Sequence, residues 1–522
     1  MNQRVAEIVW MELVVTRSLN VHDMRRHLLA RPFLLVHRGK CIGSEAKYTQ
    51  SARMCMFPSA ETPQALLIPE LLRRIFELST QSTNVSNACV CRLWNEEAMS
   101  VNWRDVGTSC VFALLAPLHG MPTSFAREID DDDWDRFDRY SAKVHNLRFD
   151  GVYRPSVFNQ LALGRRQLDF LPNLVTLYDP EPTPLFTYSN IKRLVFRWSG
   201  RGASISVTSW LRLVSRRMPH LESLLCPCID DNDAPDLPSA LTSALQQSKH
   251  LKELTIPAGC LNGQNLLLLA GIPTLESITI NSPFPMSTSH PIISNFPDNP
   301  FPSLKVFSVH MYFRTAGMFV PSINAGRALR TFRILSPYSE SFLGYMELLK
   351  AIACHCPHLE VLELKKKSER QADTTHSYTT EFNPWLSHIL QSLSHLTSLA
   401  LRHFGMQGLF PLRDLPVFAV HCKGLSYLQL DIDTNCPLND VAFYEFPKLK
   451  TLDVGLSPIS EPTKVASFLS CVLPCDCEIS DEYDPSEPCE AAKHWGAVSN
   501  WAPVLVNARM EGRPTGRAGI SL

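Results

Sequence analysis

Sixteen cysteines and seventeen histidines are the residues of this chain best suited to chemistry, and their spacing decides what chemistry is on offer. Four Cys-x-Cys pairs stand out: Cys89/Cys91, Cys226/Cys228, Cys354/Cys356 and Cys475/Cys477. A structural zinc site needs two clips, each with a gap of about two to four residues, brought together by the fold. The densest group is Cys471, Cys475, Cys477 and Cys489, with His494 beyond. Its spacing matches no common zinc pattern, so no metal is expected and the cysteines read as small packing residues. The opening "RVAEIVWMELVVTRSL" is broken by Glu7 and Glu12 and lacks a small-residue cleavage site, which makes it a poor secretory signal. Arg4, Arg17, Arg25 and Arg26 suit a mitochondrial presequence, but the glutamates count against one. A reducing compartment, cytoplasmic and/or nuclear, is the expectation, with the cysteines as thiols.

Other constellations fall short of a catalytic or ligand site. There is no Gly-rich phosphate loop, no His-Glu-x-x-His and no Gly-x-Ser-x-Gly elbow, so we expect no enzyme and no cofactor. His310 and His403 fall just past expected strands and read as solvent-facing. "ELKKKSER" is locally basic, but it follows a strand without an aromatic platform, and a net charge of -1 gives no chain-wide field for a polyanion. Nucleic acid is therefore not an expected partner. No apolar run approaches the roughly 18–20 residues that span a bilayer, so no membrane partner is expected either. In "EIDDDDWDRFDRYSAKVHNLRF" the alternating calcium loop is absent. The spacing instead predicts a helix whose first-turn carboxylates meet the positive end of its dipole, with Trp134, Phe137, Tyr140 and Val144 facing inward.

The chain of 522 residues, 45% of them apolar, is too long for one small core. Its organisation is a repeat. The pattern apolar-x-x-apolar-x-apolar returns in "KHLKELTI", "PTLESITI", "PSLKVFSV", "RALRTFRI", "PHLEVLEL", "SHLTSLAL", "KGLSYLQL" and "PKLKTLDV". The first apolar residues, Leu251 to Leu449, lie 24, 29, 25, 30, 37, 29 and 24 residues apart. "PNLVTLY", "NIKRLVF" and "PHLESLLC" are weaker copies. Leu362-Glu363-Leu364 alternates with period two, so it predicts a short strand with the leucines inward. Segments such as "GYMELLKAIACHCPH" predict the intervening helices, with Leu348, Leu349, Ile352 and Ala353 on one face. Neither element buries its apolar face alone, but stacked units do.

This array resembles a leucine-rich-repeat domain. The resemblance implies an α/β solenoid with parallel strands on a concave face and helices on a convex one. In one respect the chain departs from the family. The Asn or Cys that satisfies loop backbone is replaced at its expected positions by Gly259, Pro283, Lys367, Phe404 and Ser457, which predicts irregular repeats.

Ahead of the array, Pro69 suits a first helical turn, and Leu71, Leu72, Ile75 and Phe76 follow as one stripe with Arg73 and Arg74 opposite. "STQSTN" breaks that helix. A second begins near Asn84 and brings Val85, Ala88, Cys89, Cys91 and Trp94, more apolar residues than a unit of this size encloses. Leu67, Glu70, Leu71, Leu72, Ile75, Phe76, then Val90, Cys91, Arg92, Trp94, then Trp103 stand in the order and spacing of an F-box. The chain thus resembles fungal, basidiomycete-like F-box proteins with degenerate leucine-rich repeats. Ile68 replaces the usual proline, and Asn84 stands where a leucine is typical. By the resemblance, Cys91 is a buried packing residue, and the acidic helix is the bridge that caps the first repeat.

The resemblance implies the substrate-recognition subunit of a Skp–cullin–F-box ubiquitin ligase, with a Skp adaptor, through it a cullin, and an unknown target protein as partners. Leu67, Pro69, Leu71, Leu72, Ile75, Phe76, Val90, Trp94 and Trp103 would supply or support the adaptor face. Strand alternation aims Arg333, Val361, Glu363, Lys365, Arg402, Tyr427, Gln429 and Asp453 outward as target-binding candidates. The alternative is a binding scaffold whose F-box-like helices recruit no ligase. The expected boundaries are a weakly structured segment over 1–60 (an alternative start near Met54 or Met56 is conceivable), a helical module over 64–108, a linker and capping helix over 109–145, a solenoid over 146–480, and a C-terminal cap and flexible tail over 481–522.

Overall fold

A computed structural model of the chain describes residues 64–120, 122–178, 184–196, 207–226, 237–260, 262–281, 296–323, 328–336, 342–366, 382–402, 410–438, 443–481, 483 and 489–512. The expected segment 1–60 lies outside the described residues. The chain divides into two units, the first ending at Ile191 and the second starting at Lys192.

The first unit opens with a short 3-10 turn, Gln64–Leu67, and three helices: α1 (Pro69–Glu77), α2 (Gln81–Asn87) and α3 (Arg92–Asn102). Strand β1 (Asp105–Gly107) leads into α4 (Thr108–Ala113), and a small antiparallel pair follows, β2 (Leu118–His119) and β3 (Ser124–Phe125). Then come α5 (Asp131–Ser141), β4 (Asn146–Arg148), α6 (Pro155–Gly164) and β5 (Thr176–Tyr178). Strands β1, β4 and β5 pair in parallel. Parallel pairing therefore begins near residue 105, well before the boundary expected at 146. The sequence hides this because β1 follows directly on α3 and lacks the leucine pattern.

The acidic helix forms as its sequence predicts. Asp130 and Asp133 make a reciprocal capping box, each carboxylate accepting the other's backbone N–H at 2.9 and 3.0 Å. Trp134, Phe137 and Val144 are buried and Tyr140 is half-buried. Asp133 is itself buried. Burial alone would raise its pKa, but Arg127 at 2.5 and 2.8 Å, the Asp130 N–H and the Arg136 charge outweigh burial and hold the carboxyl below the usual range.

The second unit is an α/β repeat array. Its strands are β6 (Arg193–Val195), β7 (Ser223–Leu225), β8 (Glu253–Pro257), β9 (Ser277–Asn281), β10 (Val306–His310), β11 (Thr331–Ser336), β12 (Val361–Lys366), β13 (Ser398–Arg402), β15 (Tyr427–Leu430), β17 (Thr451–Asp453) and β18 (Glu478–Ser480), each parallel to the next. Two further short strands, β14 (Phe410–Pro411) and β16 (Ile432–Asp433), form a separate parallel ladder. Between the strands run α7 (Val207–Arg217), α8 (Leu237–Gln247), α9 (Gly263–Ala270), α10 (Phe313–Phe319), α11 (Phe342–His355), α12 (Phe382–Ser392), α13 (Leu415–His421) and α14 (Pro462–Val472). Neighbours such as α7 and α8, or α10 and α11, pack against each other, so the helices make a layer of their own. In β12, Leu362 and Leu364 are buried while Val361, Glu363 and Lys365 are half-buried, as the alternation predicts. The final helix, α15 (Glu490–Gly512), lies in the segment expected as a C-terminal cap and tail; Trp495, Val498, Ala502 and Val506 are buried at a helical spacing.

The absent asparagine ladder is replaced by main chain. The carbonyls of Lys192, Glu222, Lys252, Glu276, Lys305, Arg330, Glu360, Thr397 and Ser426 each accept two backbone N–H groups from the following repeat, at 2.7–3.2 Å. Arg104 and His145 do the same in the first unit. Just before, a Leu N–H closes a turn onto the carbonyl three residues back, as in Leu221 to Met218, Leu359 to Cys356 and Leu425 to Cys422. The side chains at the shared carbonyls stay outside and form ion pairs between repeats: Lys192–Glu222 at 3.2 Å, Lys252–Glu222 at 2.7 Å and Lys305–Glu276 at 2.8 Å. Exposed pairs of this kind are worth below about 1 kcal/mol each. Of the expected asparagine positions, Ser457 does satisfy loop backbone, accepting the Ile432 N–H at 2.6 Å. Gly259 lies in a 3-10 turn, while Pro283, Lys367 and Phe404 lie outside the described residues.

Asp133→Asn should lower the stability of the first unit by about 2–3 kcal/mol at pH 7, the scale of charge-assisted hydrogen bonds lost in a buried site. A carboxylate with a depressed folded pKa stabilises above its unfolded value of about 3.9 and loses that contribution as pH falls through the lowered folded value. The gap between variant and wild type in urea titrations should therefore narrow below about pH 4; a gap that stayed constant would remove the ionised Asp133 from the account.

Candidate protein-docking surfaces

Helix α1 carries two apolar stripes rather than the one expected. Leu72 and Phe76, four residues apart, are fully buried. Leu71 and Ile75 lie on the other side, 45% and 44% exposed, in line with Ile68 before them and Leu78 after. The spacing 68, 71, 75, 78 makes one outward stripe, and Leu67 at its start is also exposed. The arginines do not oppose an apolar face but tie the module together. Arg73 pairs with Glu97 at 2.8 Å, Arg74 with Glu77 at 3.0 Å, and Arg104 with Glu77 at 3.1 Å.

The remaining module residues hold that helix in place. Trp94 meets Phe76 edge-on at 5.7 Å, and its Nε1 donates to the Leu66 carbonyl at 3.4 Å. Trp103 is buried against Tyr140, ring centroids 4.9 Å apart. Pro69, half-buried, starts α1. Asn84 is buried and its Nδ2 donates to the Phe76 carbonyl at 2.8 Å, closing the end of α1. The departure at Asn84 is thus internal, and the departure at Ile68 adds apolar surface. Val90 is exposed on the turn between α2 and α3, a turn that Asn95 secures by donating to the Ala88 carbonyl at 2.9 Å. Of the adaptor-face candidates, Leu67, Leu71, Ile75 and Val90 are exposed, Pro69 and Trp94 half-buried, and Leu72, Phe76 and Trp103 core. Ile68 and Leu78, which are not among those candidates, extend the exposed stripe, and their spacing from Leu71 and Ile75 is the signal for it.

Cys89 and Cys91 are both exposed, against the expectation of packing residues on one helix. Helix α2 ends at Asn87 and Cys91 is the N-cap of α3, so both fall in the connecting turn. Of the other pairs, Cys356 and Cys477 are buried while Cys354 and Cys475 are exposed; Cys226 is buried and Cys228 lies outside the described residues. Burial pushes the Cys356, Cys422 and Cys477 thiols up to about 12, the reverse of what a thiolate ligand or nucleophile requires. Among the described residues no group of three or more His, Cys, Asp or Glu is placed to hold a metal ion. His494 Nδ1 donates to the Ile459 carbonyl at 3.0 Å. His310 is half-buried rather than solvent-facing, and His403 lies outside the described residues.

On the outward strand face of the second unit, Arg333 is exposed, and Val361, Glu363, Lys365 and Tyr427 are half-buried. Arg402, Gln429 and Asp453 are buried, so they are not available as drawn from alternation. Their side of the sheet is covered by the chain itself. Gly455 turns with φ at +58°, and a Cβ there would come within 2.6 Å of Asp431 Oδ1 and 3.2 Å of Arg402 Nη2. Asp453 accepts the Tyr427 hydroxyl at 3.2 Å, the Gly455 N–H at 2.9 Å and the Gln429 amide. Burial, with the Asp453 and Glu363 charges, keeps the Tyr427 phenol protonated. These residues form a wall, not a binding surface.

No protein-family profile and no curated protein matches the chain. Among solved structures, the yeast Rad7 and Elc1 complex shows 14% identity over 81% of this chain and 90% of that one, with a TM-score of 0.33. The TLR13–ssRNA13 complex shows 14% identity over 68% of this chain and 57% of that one, with a TM-score of 0.30. At these scores the fold assignment rests on the chain's own strand ladder. Among the described residues no helix is long and apolar enough to cross a membrane.

The two stripes of α1 separate by mutation. Leu72→Ala should cost about 2–5 kcal/mol through the cavity it leaves, whereas Leu71→Ala should cost below about 1 kcal/mol. Urea denaturation followed by circular dichroism distinguishes them, and equal losses would contradict the outward placement of Leu71.

Proposed function

We propose that this chain is a substrate-recognition subunit of a Skp–cullin–F-box ubiquitin ligase. In this reading residues 64–108 dock a Skp-type adaptor, which brings the cullin, and the strand face of the second unit takes the target. The observation that carries it is the outward stripe of Leu67, Ile68, Leu71, Ile75 and Leu78, on a helix whose other stripe is fully buried. Burying a large aliphatic side chain is worth about 1.5–3 kcal/mol, so leaving five of them roughly half exposed forgoes several kcal/mol. A contiguous apolar strip of this kind marks a protein partner. The chain does no bond chemistry of its own; it raises the local concentration of a target lysine near the charged ubiquitin carrier. Such a protein acts in the cytoplasm or nucleus.

The second reading is a scaffold without a ligase, in which the strip serves another partner. The departures from the F-box pattern at Ile68 and Asn84 motivate it; Asn84 is internal and Ile68 adds to the exposed strip. A pull-down of the full-length chain with purified Skp adaptor tests the choice. Binding is expected, and Leu71→Asp with Ile75→Asp should weaken it at least about 30-fold, as loss of a central apolar anchor does, with circular dichroism unchanged. No binding by the wild type, or binding indifferent to both substitutions, would leave the scaffold.

A further inference from the structure

The open part of the strand face has a charge pattern that the adaptor reading does not use. Register places Thr255, Thr279, Ser308, Arg333 and Glu363 in one outward row across β8 to β12. The first three are small and half-buried, so no bulky side chain blocks the row. At β11 and β12 the row becomes charged. Glu363 is shared by two cations, Arg333 Nε at 3.0 Å and Lys365 Nζ at 2.5 Å. Two cations around one carboxylate leave a local excess of one positive charge on this face. The Arg333 side chain remains about half exposed beside that ion pair, and a planar guanidinium suits a second carboxylate. Beyond β12 the face is closed by the buried Arg402, Gln429 and Asp453. At the other end, Glu253 is held by the Ser223 hydroxyl at 2.8 Å and by Arg193 at 3.9 Å.

We propose that this face takes an extended acidic segment of the partner protein, whose Asp or Glu carboxylate seats between Arg333 and Lys365. The inference rests on the reading of the strand face as the target surface and adds the chemistry of what binds there. Crossing from β8 to β12 spans four strand spacings of about 4.8 Å, a length that about six extended residues cover. The hydroxyl row accommodates small side chains along the way, and the two cations select the charge at the end.

The test is selection of a displayed random dodecapeptide library on the full-length chain, wild type and Arg333→Glu with Lys365→Glu. The wild type is expected to enrich Asp and Glu over the unselected library, and the variant to lose that preference or turn to Lys and Arg. An enriched peptide, synthesised, should bind the variant about tenfold more weakly, and should weaken with added salt. Arg333→Gln with Lys365→Gln, which removes the charges without reversing them, should fall between, and circular dichroism must match wild type throughout. No selected peptides, no acidic preference, or the same preference in the variants would overturn the proposal. So would binding only when phosphoserine replaces the acidic residue, which would make the ligand a phosphate. Adaptor binding by the wild type is measured in parallel: a wild type that selects acidic peptides but binds no adaptor sinks only the ligase reading, and one that binds adaptor but selects no acidic peptides sinks only this one.

Discussion

Each repeat is fastened to the next through a single main-chain carbonyl that accepts two N–H groups, from Lys192 through Ser426 in the second unit. Everything else in the array hangs on this joint. It sets the parallel register, which turns the leucines of each strand into one continuous core, and it fixes where each preceding Leu-closed turn must end. Because the joint is backbone, it asks nothing of the side chain at its own position. Lys, Glu, Arg, Thr and Ser all occupy it. The repeats can therefore lose the asparagine pattern and vary in length without losing their connection, as a stack stabilised by nearest neighbours allows.

The helical module follows a different economy. Its core is small: Leu72, Phe76, Ala98, Met99 and Trp103, with Asn84 tying α2 to the end of α1. So small a core cannot cover both stripes of α1, and one of them stays in water. The ion pairs from Arg73, Arg74 and Arg104 flank that stripe without shielding it. Fold and proposed function are divided between neighbouring residues: Leu72 belongs to the first and Leu71 to the second.

Local pattern made the strands, the acidic helix α5 and the existence of the helical module legible in the sequence, but not that β1 precedes α5, so that this helix lies between paired strands rather than ahead of the first. Leu362-Glu363-Leu364 carries its own orientation, and Asp130 with Asp133 announces a helix start. Failures arose where burial is decided by residues far away in sequence. Leu71 and Leu72 are equally apolar, and which one faces the core depends on where α3 packs. Cys91 falls outside its helix because α2 stops at Asn87. Arg402, Gln429 and Asp453 point outward as alternation requires, yet they are buried, with the turn at Gly455 lying against Arg402 and donating to Asp453. Alternation reports direction, and direction equals exposure only where nothing else lies above the sheet.

That turn has a further consequence. A repeat array has no intrinsic end, and a ligand lying along it could in principle slide by one repeat and find an almost equivalent footing. By burying Arg402, Gln429 and Asp453 on the strand side that stays open at β8 to β12, the chain breaks this translational degeneracy. The array becomes a ruler with a fixed zero, and whatever binds it has a position as well as an affinity.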